Sequence, residues 1–201
     1  VRTPEGKDRI ISKGAPEAVF PRCASCEMAG QLYPMDHAHI EDLKKEYEKL
    51  SADGFRVLAI ATKDIVPRGG VAGDATPYST ADESDLILNG YVAFLDPPKE
   101  TATAAIKALQ GHGVAVKVVT GDNDLVAKKI CKEVGLSTEF SLLGSEVEAM
   151  SDEQLAEAAV RTTLFARVSP AHKQRIIKAL QSRQHTVGFM GDGINDAPAL
   201  R

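Results

Sequence analysis

The stretch GVAVKVVTGDNDLVAKKICKEVGL, residues 113–136, decides the fold that we predict for this chain. Its apolar run 114–119 predicts a buried strand, which ends where Thr120-Gly121-Asp122 introduces small and polar residues. Residues 125–134 then place apolar side chains at helical spacing, and Gly135 is typical of a helix C-terminus. A strand that leads directly into a helix is the repeating unit of a parallel sheet with covering helices.

The same order recurs towards the end of the sequence. Residues 164–168 predict a second strand, and Ser169-Pro170 provides the cap and first-turn proline of a helix over 171–182. A third apolar run, Thr186 to Met190, predicts another strand. Further helices are predicted over 99–110 and from the capping-box spacing of Ser151 and Gln154 up to about Val160.

The first half has a different pattern, in which strands are separated by one long helix. Residues 9–13, 55–61 and 86–95 predict strands, and residues 40–50 carry apolar side chains at helical spacing. The two prolines of Asp96-Pro97-Pro98 forbid continuation of the last strand. We therefore expect a boundary between two α/β modules near these prolines, and we assign residues 1–92 to the first module and residues 93–201 to the second.

Composition limits the classes of protein to which the chain can belong. Its 201 residues include 24 basic and 28 acidic side chains, a net charge of −4, without a long run of one sign. This balance argues against a nucleic-acid partner. No apolar stretch approaches the about 18 residues that cross a bilayer, so we expect the chain itself to be soluble.

Polar clusters follow three of the predicted strands. They are Thr120-Gly121-Asp122, Arg167 with Ser169, and Gly191-Asp192-Gly193. Because ligands bind beyond the carboxyl ends of parallel strands, we expect these clusters to converge there.

The residue types in these clusters suit a phosphoryl group held with a divalent ion. Carboxylates at Asp192 and Asp196 match the oxygen ligands that Mg²⁺ prefers. Lys173, one helical turn after the predicted cap, would supply a cation, and Thr120 a hydroxyl group. Such groups position a transferring phosphoryl group and neutralise its charge.

Six short motifs stand in one order along nearly the whole chain. They are KGAPE (13–17), GFRVLAIA (54–61), LDPPK (95–99), TGD (120–122), FARVSPAHK (165–173) and MGDGINDAP (190–198). This ordered set resembles the P-type cation-transporting ATPases. The stretch FLDPPKETATAAIKAL and residues 113–136 are most similar to the bacterial magnesium-importing subgroup.

The resemblance implies a fold and a cellular setting. Residues 93–201 would be a haloacid-dehalogenase-like phosphorylation domain with a Rossmann-type parallel sheet, and residues 1–92 part of an α+β nucleotide-binding domain. The intact protein would lie in the plasma membrane, with these domains on its cytoplasmic side. It would bind ATP and Mg²⁺ here and couple ATP hydrolysis to cation transport. The cation, expected to be Mg²⁺, would be handled by membrane helices absent from this sequence.

The resemblance also implies roles for the residues that match the family's motifs. Lys13 and Gly14 would line the adenine pocket, and Arg56 would contact the phosphates of the nucleotide. Asp122 and Arg167 would also reach the nucleotide. The phosphoryl site would use Thr120 and Gly121 for the phosphoryl oxygens, Lys173 for charge neutralisation, Asp192 for Mg²⁺, Asn195 for a hydrogen bond to a phosphoryl oxygen, Asp196 for orienting Lys173, and Asp96 at the hinge.

One motif of the family does not occur in this sequence. The family's nucleophile is the aspartate of Asp-Lys-Thr-Gly-Thr, and the 201 residues do not contain that string. We therefore expect a fragment whose phosphorylation domain lacks its first strand. Such a fragment would hold nucleotide weakly and would not form the phosphoenzyme.

Two alternative hypotheses stay open. Residues 122–126, Asp-Asn-Asp-Leu-Val, also have the Asp-x-Asp-x-Val form that small phosphatases of the same superfamily use, with Lys173 and Asp192 downstream. On that hypothesis the chain is a stand-alone phosphohydrolase with Asp122 as nucleophile. The second alternative is a nucleotide-binding module without turnover.

The cysteine pattern raises the question of a metal or redox site. Cys23 and Cys26 are followed by His37 and His39, but the His-x-His spacing differs from that of a zinc finger. We therefore favour no metal site here. Cys131, on an apolar helix, is predicted to be a small core residue.

Overall fold

The computed structural model of the chain describes residues 1–4, 6–65 and 78–191, and these form two compact units. Unit 1 comprises Val1–Ser51 and Phe55–Leu95. Unit 2 comprises Ala52–Gly54 and the chain from Asp96 onward. The two units are described separately.

Unit 1 is built on a five-stranded mixed sheet. Its strands are β1 (Asp8–Gly14), β2 (Cys23–Met28), β3 (Gln31–Pro34), β4 (Phe55–Ile65) and β5 (Leu86–Leu95). They lie in the order β1-β4-β5-β2-β3, and only the β5–β2 pair is parallel. The strands predicted over 9–13, 55–61 and 86–95 are confirmed, the first two with longer bounds.

One face of this sheet is covered by helices. They are α1 (Pro16–Val19), a 3₁₀ turn (Phe20–Arg22) and α2 (His37–Ala52), the last of which confirms the helix predicted over 40–50. Val19 and Phe20 pack with Ala59 and Ala61 of β4 and with Leu88 of β5 in the core of the unit. Burial of these apolar side chains stabilises the helices on the sheet.

The hairpin formed by β2 and β3 was not predicted. Its two-residue turn is Ala29-Gly30, with φ of 51° and 79°. Positive φ at both turn residues matches the twist of a hairpin but normally selects Asn-Gly or Gly-Gly. Because alanine stands at the first position, the usual sequence signal for this hairpin is absent.

Unit 2 contains a three-stranded parallel sheet with helices between its strands. The elements in chain order are α3 (Ala102–Gly111), β6 (Val118–Val119), α4 (Asp124–Glu133), β7 (Ser141–Leu143), α5 (Gly144–Ala149), α6 (Asp152–Arg161), β8 (Leu164–Ala166) and α7 (Pro170–Ser182). The strand order is β6-β8-β7. Phe165 of the central strand is fully buried and packs with Leu155 and Ile176 of the flanking helices.

The caps predicted in unit 2 are confirmed. Ser151 Oγ accepts the N–H of Gln154 at 3.3 Å, and Gln154 Oε1 accepts the N–H of Ser151 at 2.9 Å. Ser169 caps α7, whose first residue is Pro170. These signals are read correctly from sequence because cap and helix are only a few residues apart.

Three strand predictions in unit 2 are wrong in extent or in kind. The strand predicted over 164–168 ends at Ala166. The strand predicted over 114–119 has regular pairing only at Val118–Val119, and residues 186–190, predicted as a strand, are irregular. An apolar run forms a strand only where a partner supplies hydrogen bonds along its length. Neither run has such a partner throughout its length among the described residues.

None of the described helices combines the length and the apolar character that a membrane span requires.

Candidate functional site

The first candidate site is the open face of the sheet in unit 1. Val57, Ala59 and Ala61 of β4 are buried on the face that the helices cover. Because successive strand residues point to opposite faces, the residues between them point away from the helices.

Lys13, Ile60 and Gly90 lie side by side on this open face. Lys13 of β1 is opposite Ile60 of β4, and Ile60 is opposite Gly90 of β5. Gly90 has φ of 143°, and a Cβ placed on it would have no atom within 4 Å. The position beside Ile60 is therefore open, with an exposed ammonium group on its other side.

Arg56 lies on the same face, four residues before Ile60. At the ordinary rise of a strand these two positions are about 13 Å apart. Leu58 lies between them and is opposite Val92, while Arg56 is opposite Phe94. Val92 is 40% exposed and Phe94 50% exposed, so an accessible apolar strip separates the two cations.

At Gly14, a side chain would lie on the covered side of the sheet. It is opposite Ala59, and a Cβ placed on it would lie 3.4 Å from Cγ2 of Val19. Gly14 therefore offers its backbone to the open face, and its missing side chain makes room for α1.

The second candidate site is the sheet edge of unit 2 where β6 and β8 end side by side. The N–H of Thr120 donates to the carbonyl of Phe165 at 2.9 Å, and the N–H of Val168 donates to the carbonyl of Thr120 at 3.1 Å. The N–H of Arg167 donates to the carbonyl of Asp122 at 2.9 Å. These bonds bring two of the three predicted polar clusters together.

The turn after β6 is held by its own side chains. Thr120 Oγ1 accepts the N–H of Asp122 at 3.1 Å, and Asn123 Oδ1 caps α4 by accepting the N–H of Leu125 at 2.8 Å. A Cβ on Gly121 would lie 3.4 Å from the carbonyl oxygen of Val168. The turn therefore holds a hydroxyl and a glycine backbone in a fixed position at the sheet edge.

Arg167 and Asp124 form a charged pair beside this turn. Arg167 has φ of 53°, which is uncommon for a residue with a side chain. Its Nε lies 3.5 Å from Asp124 Oδ1, and Lys128 Nζ lies 3.4 Å from Asp124 Oδ2. Asp124 was not predicted as a site residue, except as part of the Asp-x-Asp-x-Val motif of the phosphatase alternative. It lies in the first turn of α4, where carboxylates are favoured.

Lys173 lies in the first turn of α7, where its N–H donates to the carbonyl of Ser169 at 3.1 Å. Asp96 is exposed directly after β5. The remaining predicted site residues, Asp192, Asn195 and Asp196, lie outside the described residues.

Three residues around α7 were not singled out from the sequence. His172 occupies the third position of the helix and completes its capping box, Glu148 contacts the His172 ring, and Gly144 packs against the loop after β8. The pattern Ser-x-x-His at 169–172 does not have the glutamate or glutamine of a usual capping box. That departure is the signal that could have identified His172.

The three cysteines are free thiols. Burial, with a smaller contribution from Cys26, raises the pKa of Cys23 to about 11, and its Sγ donates to the carbonyl of Val19 at 3.3 Å. Burial also raises the pKa of Cys26 and of Cys131. Over the ranges that the structure describes, no three histidine, cysteine or acidic side chains are grouped to hold a metal ion.

Comparison with known proteins decides the family. The family model described as P-type ATPase, cytoplasmic domain N, matches residues 1–101, half of the chain. The chain belongs to the P-type ATPase family. The resemblance stated from the six motifs is thus confirmed.

Curated relatives extend the match over most of this P-type ATPase chain. The magnesium-transporting ATPase, P-type 1, of Escherichia coli K12 is 49% identical over 193 residues, which are 96% of the chain and 21% of the relative. A protein of the same name from Salmonella typhimurium LT2 is 46% identical over 192 residues, with the same shares. The calcium-transporting ATPase of Listeria monocytogenes is 34% identical over 194 residues, again 96% of the chain and 21% of the relative.

The P-type ATPase chain spans about a fifth of the length of these relatives. The matches favour the main hypothesis over both alternatives, the stand-alone phosphohydrolase and the nucleotide-binding module without turnover.

Proposed function

We propose that this chain is the nucleotide-binding and phosphorylation part of a P-type ATPase that couples ATP hydrolysis to Mg²⁺ transport across the plasma membrane. The observation that carries the proposal is the open face of unit 1, where an accessible apolar strip lies between Lys13 and Arg56. The identity of 46–49% to magnesium-transporting relatives supports Mg²⁺ as the cargo. Both domains would lie on the cytoplasmic side of the membrane and work with the remaining domains of the pump.

The open face of unit 1 is the proposed adenine and phosphate site. The adenine ring would lie against Ile60, beside the open position at Gly90 and next to Lys13. An apolar floor with a few polar groups is the usual lining of small-molecule sites. Arg56 would contact the phosphates, because its guanidinium can form paired hydrogen bonds with phosphate oxygens. Gly14 would contribute backbone beside Lys13.

Unit 2 is proposed to belong to a haloacid-dehalogenase-like phosphorylation domain. The proposed domain bounds are residues 1–92 for the partial nucleotide-binding domain and residues 93–201 for the phosphorylation domain. The support for this fold is the parallel order β6-β8-β7, which places the Thr120 turn and Arg167 at one sheet edge. In this proposal Thr120 and Gly121 hold the phosphoryl oxygens, and Asp122 and Arg167 reach the nucleotide. Lys173 neutralises the phosphoryl charge.

The first strand of that domain, with the phosphorylated aspartate, is proposed to lie beside β6, which is one of the two edge strands of the described sheet. A strand beside β6 could form hydrogen bonds with residues 186–190 along its other edge. In the described part of the chain, residues 186–190 do not pair with any strand. Determination of the upstream coding sequence tests this point directly. The proposal requires an Asp-Lys-Thr-Gly-Thr string there.

The proposal for Mg²⁺ at Asp192, with Asn195 and Asp196 as neighbours, rests on their sequence motif alone. When bound, the ion would draw charge from the phosphate oxygens. No further step is assigned to it.

Calorimetric titration of the chain with ATP tests the nucleotide site. Lys13→Ala and Arg56→Ala should each weaken binding about tenfold or more, the usual effect of losing a charge-assisted hydrogen bond. Lys45→Ala is the matched control, because Lys45 is an exposed lysine of α2 in the same unit, paired only with Asp42 at 3.1 Å among the contacts described. Equal weakening in all three variants, or none in the first two, would remove the site from this face.

The alternative phosphohydrolase is tested by activity towards small phosphomonoesters. Activity that Asp122→Asn abolishes would favour that alternative over the pump. Transfer of label from γ-labelled ATP to an acid-stable adduct of this chain would likewise contradict the absence of the phosphorylated aspartate. The proposal expects neither.

A further inference from the structure

The capping box that begins α7 contains a titratable side chain. Ser169 Oγ accepts the N–H of His172 at 3.2 Å, and Nδ1 of His172 accepts the N–H of Ser169 at 3.2 Å. In most capping boxes the second contact is made by glutamate or glutamine. Here the acceptor is one nitrogen of an imidazole ring.

The second ring nitrogen and the packing around the ring fix its orientation. Nε2 of His172 lies 2.7 Å from Oε2 of Glu148, and the His172 side chain is 16% exposed. A Cβ placed on Gly144 would come within 2.9 Å of Nδ1 and would overlap the carbonyl oxygen of Arg167. The ring is therefore enclosed between its own helix and the start of α5.

These contacts require one protonation state. Nδ1 can accept the Ser169 N–H only while it carries no hydrogen, so the hydrogen of the neutral ring lies on Nε2 and is donated to Glu148. A second hydrogen on Nδ1 would point at the Ser169 N–H, and the capping contact would be lost.

We propose that His172 is a positioning residue: as a neutral imidazole it completes the capping box at the first turn of α7, and protonation removes its half of that box. Lys173 is the next residue, so the backbone that carries the proposed phosphoryl-neutralising lysine is fixed by this cap. The link to catalysis rests on the function proposed above, whereas the cap itself does not.

Charged residues lie on the elements that adjoin the cap in the described part of the chain. Glu148 of α5 contacts Nε2 of the ring. Arg167 lies before the helix, where its side chain is paired with Asp124, and Lys173 follows His172 on the helix. Arg175, one turn along α7, is paired with Asp152 of α6. The neutral ring keeps both of its hydrogen bonds and the protonated ring keeps one, so the contact of Nδ1 with the Ser169 N–H is present at higher pH and lost as pH falls.

Amide hydrogen exchange of the 201-residue chain, read by NMR across pH 5–8, tests the proposal. After correction for the intrinsic exchange rate, protection of the Ser169 amide should fall by about fivefold over the interval in which the His172 ring signals titrate, the size expected for one cap. The Ser151 amide is an internal control, because its acceptor is Oε1 of Gln154 in the same geometry and does not titrate.

Two variants complete the test. His172→Gln retains an acceptor at the third helical position, so Ser169 protection should persist and become independent of pH. His172→Ala should lower protection at every pH. The proposal is overturned if wild-type Ser169 protection follows the same pH course as in His172→Gln.

A kinetic measurement separates this proposal from the proposed function. In the intact pump, His172→Gln should keep the turnover at neutral pH and lessen its loss on the acid side, while the apparent affinity for ATP stays unchanged. A pH-dependent cap in a protein without ATP turnover would refute the function and leave the cap standing. A working pump in which protection of the Ser169 amide does not depend on pH would refute the proposed cap and leave the proposed function standing.

Discussion

Replacement of Gly144 by alanine should destabilise unit 2 without affecting unit 1. Gly144 is the first residue of α5 and is buried. A methyl group there would overlap the carbonyl oxygen of Arg167, lie 2.9 Å from Nδ1 of His172 and 3.1 Å from the carbonyl carbon of Arg167. Since two of these three atoms belong to the backbone, rotation of a side chain cannot relieve the overlap.

The size of the effect follows from two opposing contributions. Overpacking in a closely packed interior costs about 1–3 kcal/mol. Alanine gains up to about 1 kcal/mol over glycine in a helix, and less at the first helical position. The expected net loss is about 1–2 kcal/mol, which at an m-value of about 2 kcal/mol/M lowers the urea midpoint by about 0.5–1 M.

The distribution of aromatic residues allows the two units to be followed separately. The chain has no tryptophan, and its four tyrosines, Tyr33, Tyr47, Tyr78 and Tyr91, all lie in unit 1. Tyrosine fluorescence therefore reports unfolding of unit 1, while amide exchange at Phe165 reports unit 2. Gly144→Ala should change only the second signal.

Gly111→Ala is the matched control. Gly111 is the last residue of α3 in the same unit, and a Cβ placed on it has no atom within 4 Å. This substitution should be neutral or stabilise by up to about 1 kcal/mol. If Gly144→Ala proves as harmless as Gly111→Ala, the close approach of α5 to the loop after β8 is wrong.

Three further predictions concern other contacts of the fold. Arg175→Lys should lower the free energy of unfolding by about 1–3 kcal/mol, because lysine lacks the guanidinium group that donates to the carbonyls of Val147 and Met150. An unchanged midpoint in urea unfolding followed by circular dichroism would contradict this. Ala29→Gly should stabilise unit 1 by about 1 kcal/mol in tyrosine-monitored unfolding, because alanine is strained at φ of 51°, and a loss of stability would show that the turn differs. Burial raises the pKa of Cys23 to about 11, so its thiol should react with iodoacetamide at pH 8 roughly 100-fold more slowly than an ordinary thiol. The reaction rate should increase as pH rises. Equal rates in native and urea-unfolded protein, measured by mass spectrometry, would refute this.

Prediction from sequence succeeded where the signal is local. The caps at Ser151 and Ser169 and the helix stop at Gly135 depend on hydrogen bonds and backbone preferences within a few residues. The helix predicted over 125–134 is α4, with bounds that differ by one residue at each end. The six motifs identified the family for a similar reason, because each is a continuous stretch of sequence.

Prediction failed where a distant partner decides the outcome. Residues 114–117 were expected to extend a strand, but Lys117 instead turns its ammonium group to the carbonyls of Val160 and Thr162, at 2.8 Å and 2.7 Å. Burial lowers the pKa of that lysine. The capping role of His172 was likewise invisible, because it depends on Gly144 and Glu148 of another helix.

The sequence by itself determined the family, the capped helix starts at Ser151 and Ser169, the helix stop at Gly135 and the residue types that are proposed to bind nucleotide and phosphate, whereas the helix predicted over 99–110 begins only at Ala102. Only the tertiary structure decided which apolar runs are strands, which face of the sheet in unit 1 stays open beside Lys13 and Arg56, and which protonation state of His172 caps α7. The reason is physical: a cap or a motif is satisfied by its chain neighbours, whereas a strand, an open face and an enclosed imidazole depend on residues brought from elsewhere in the chain.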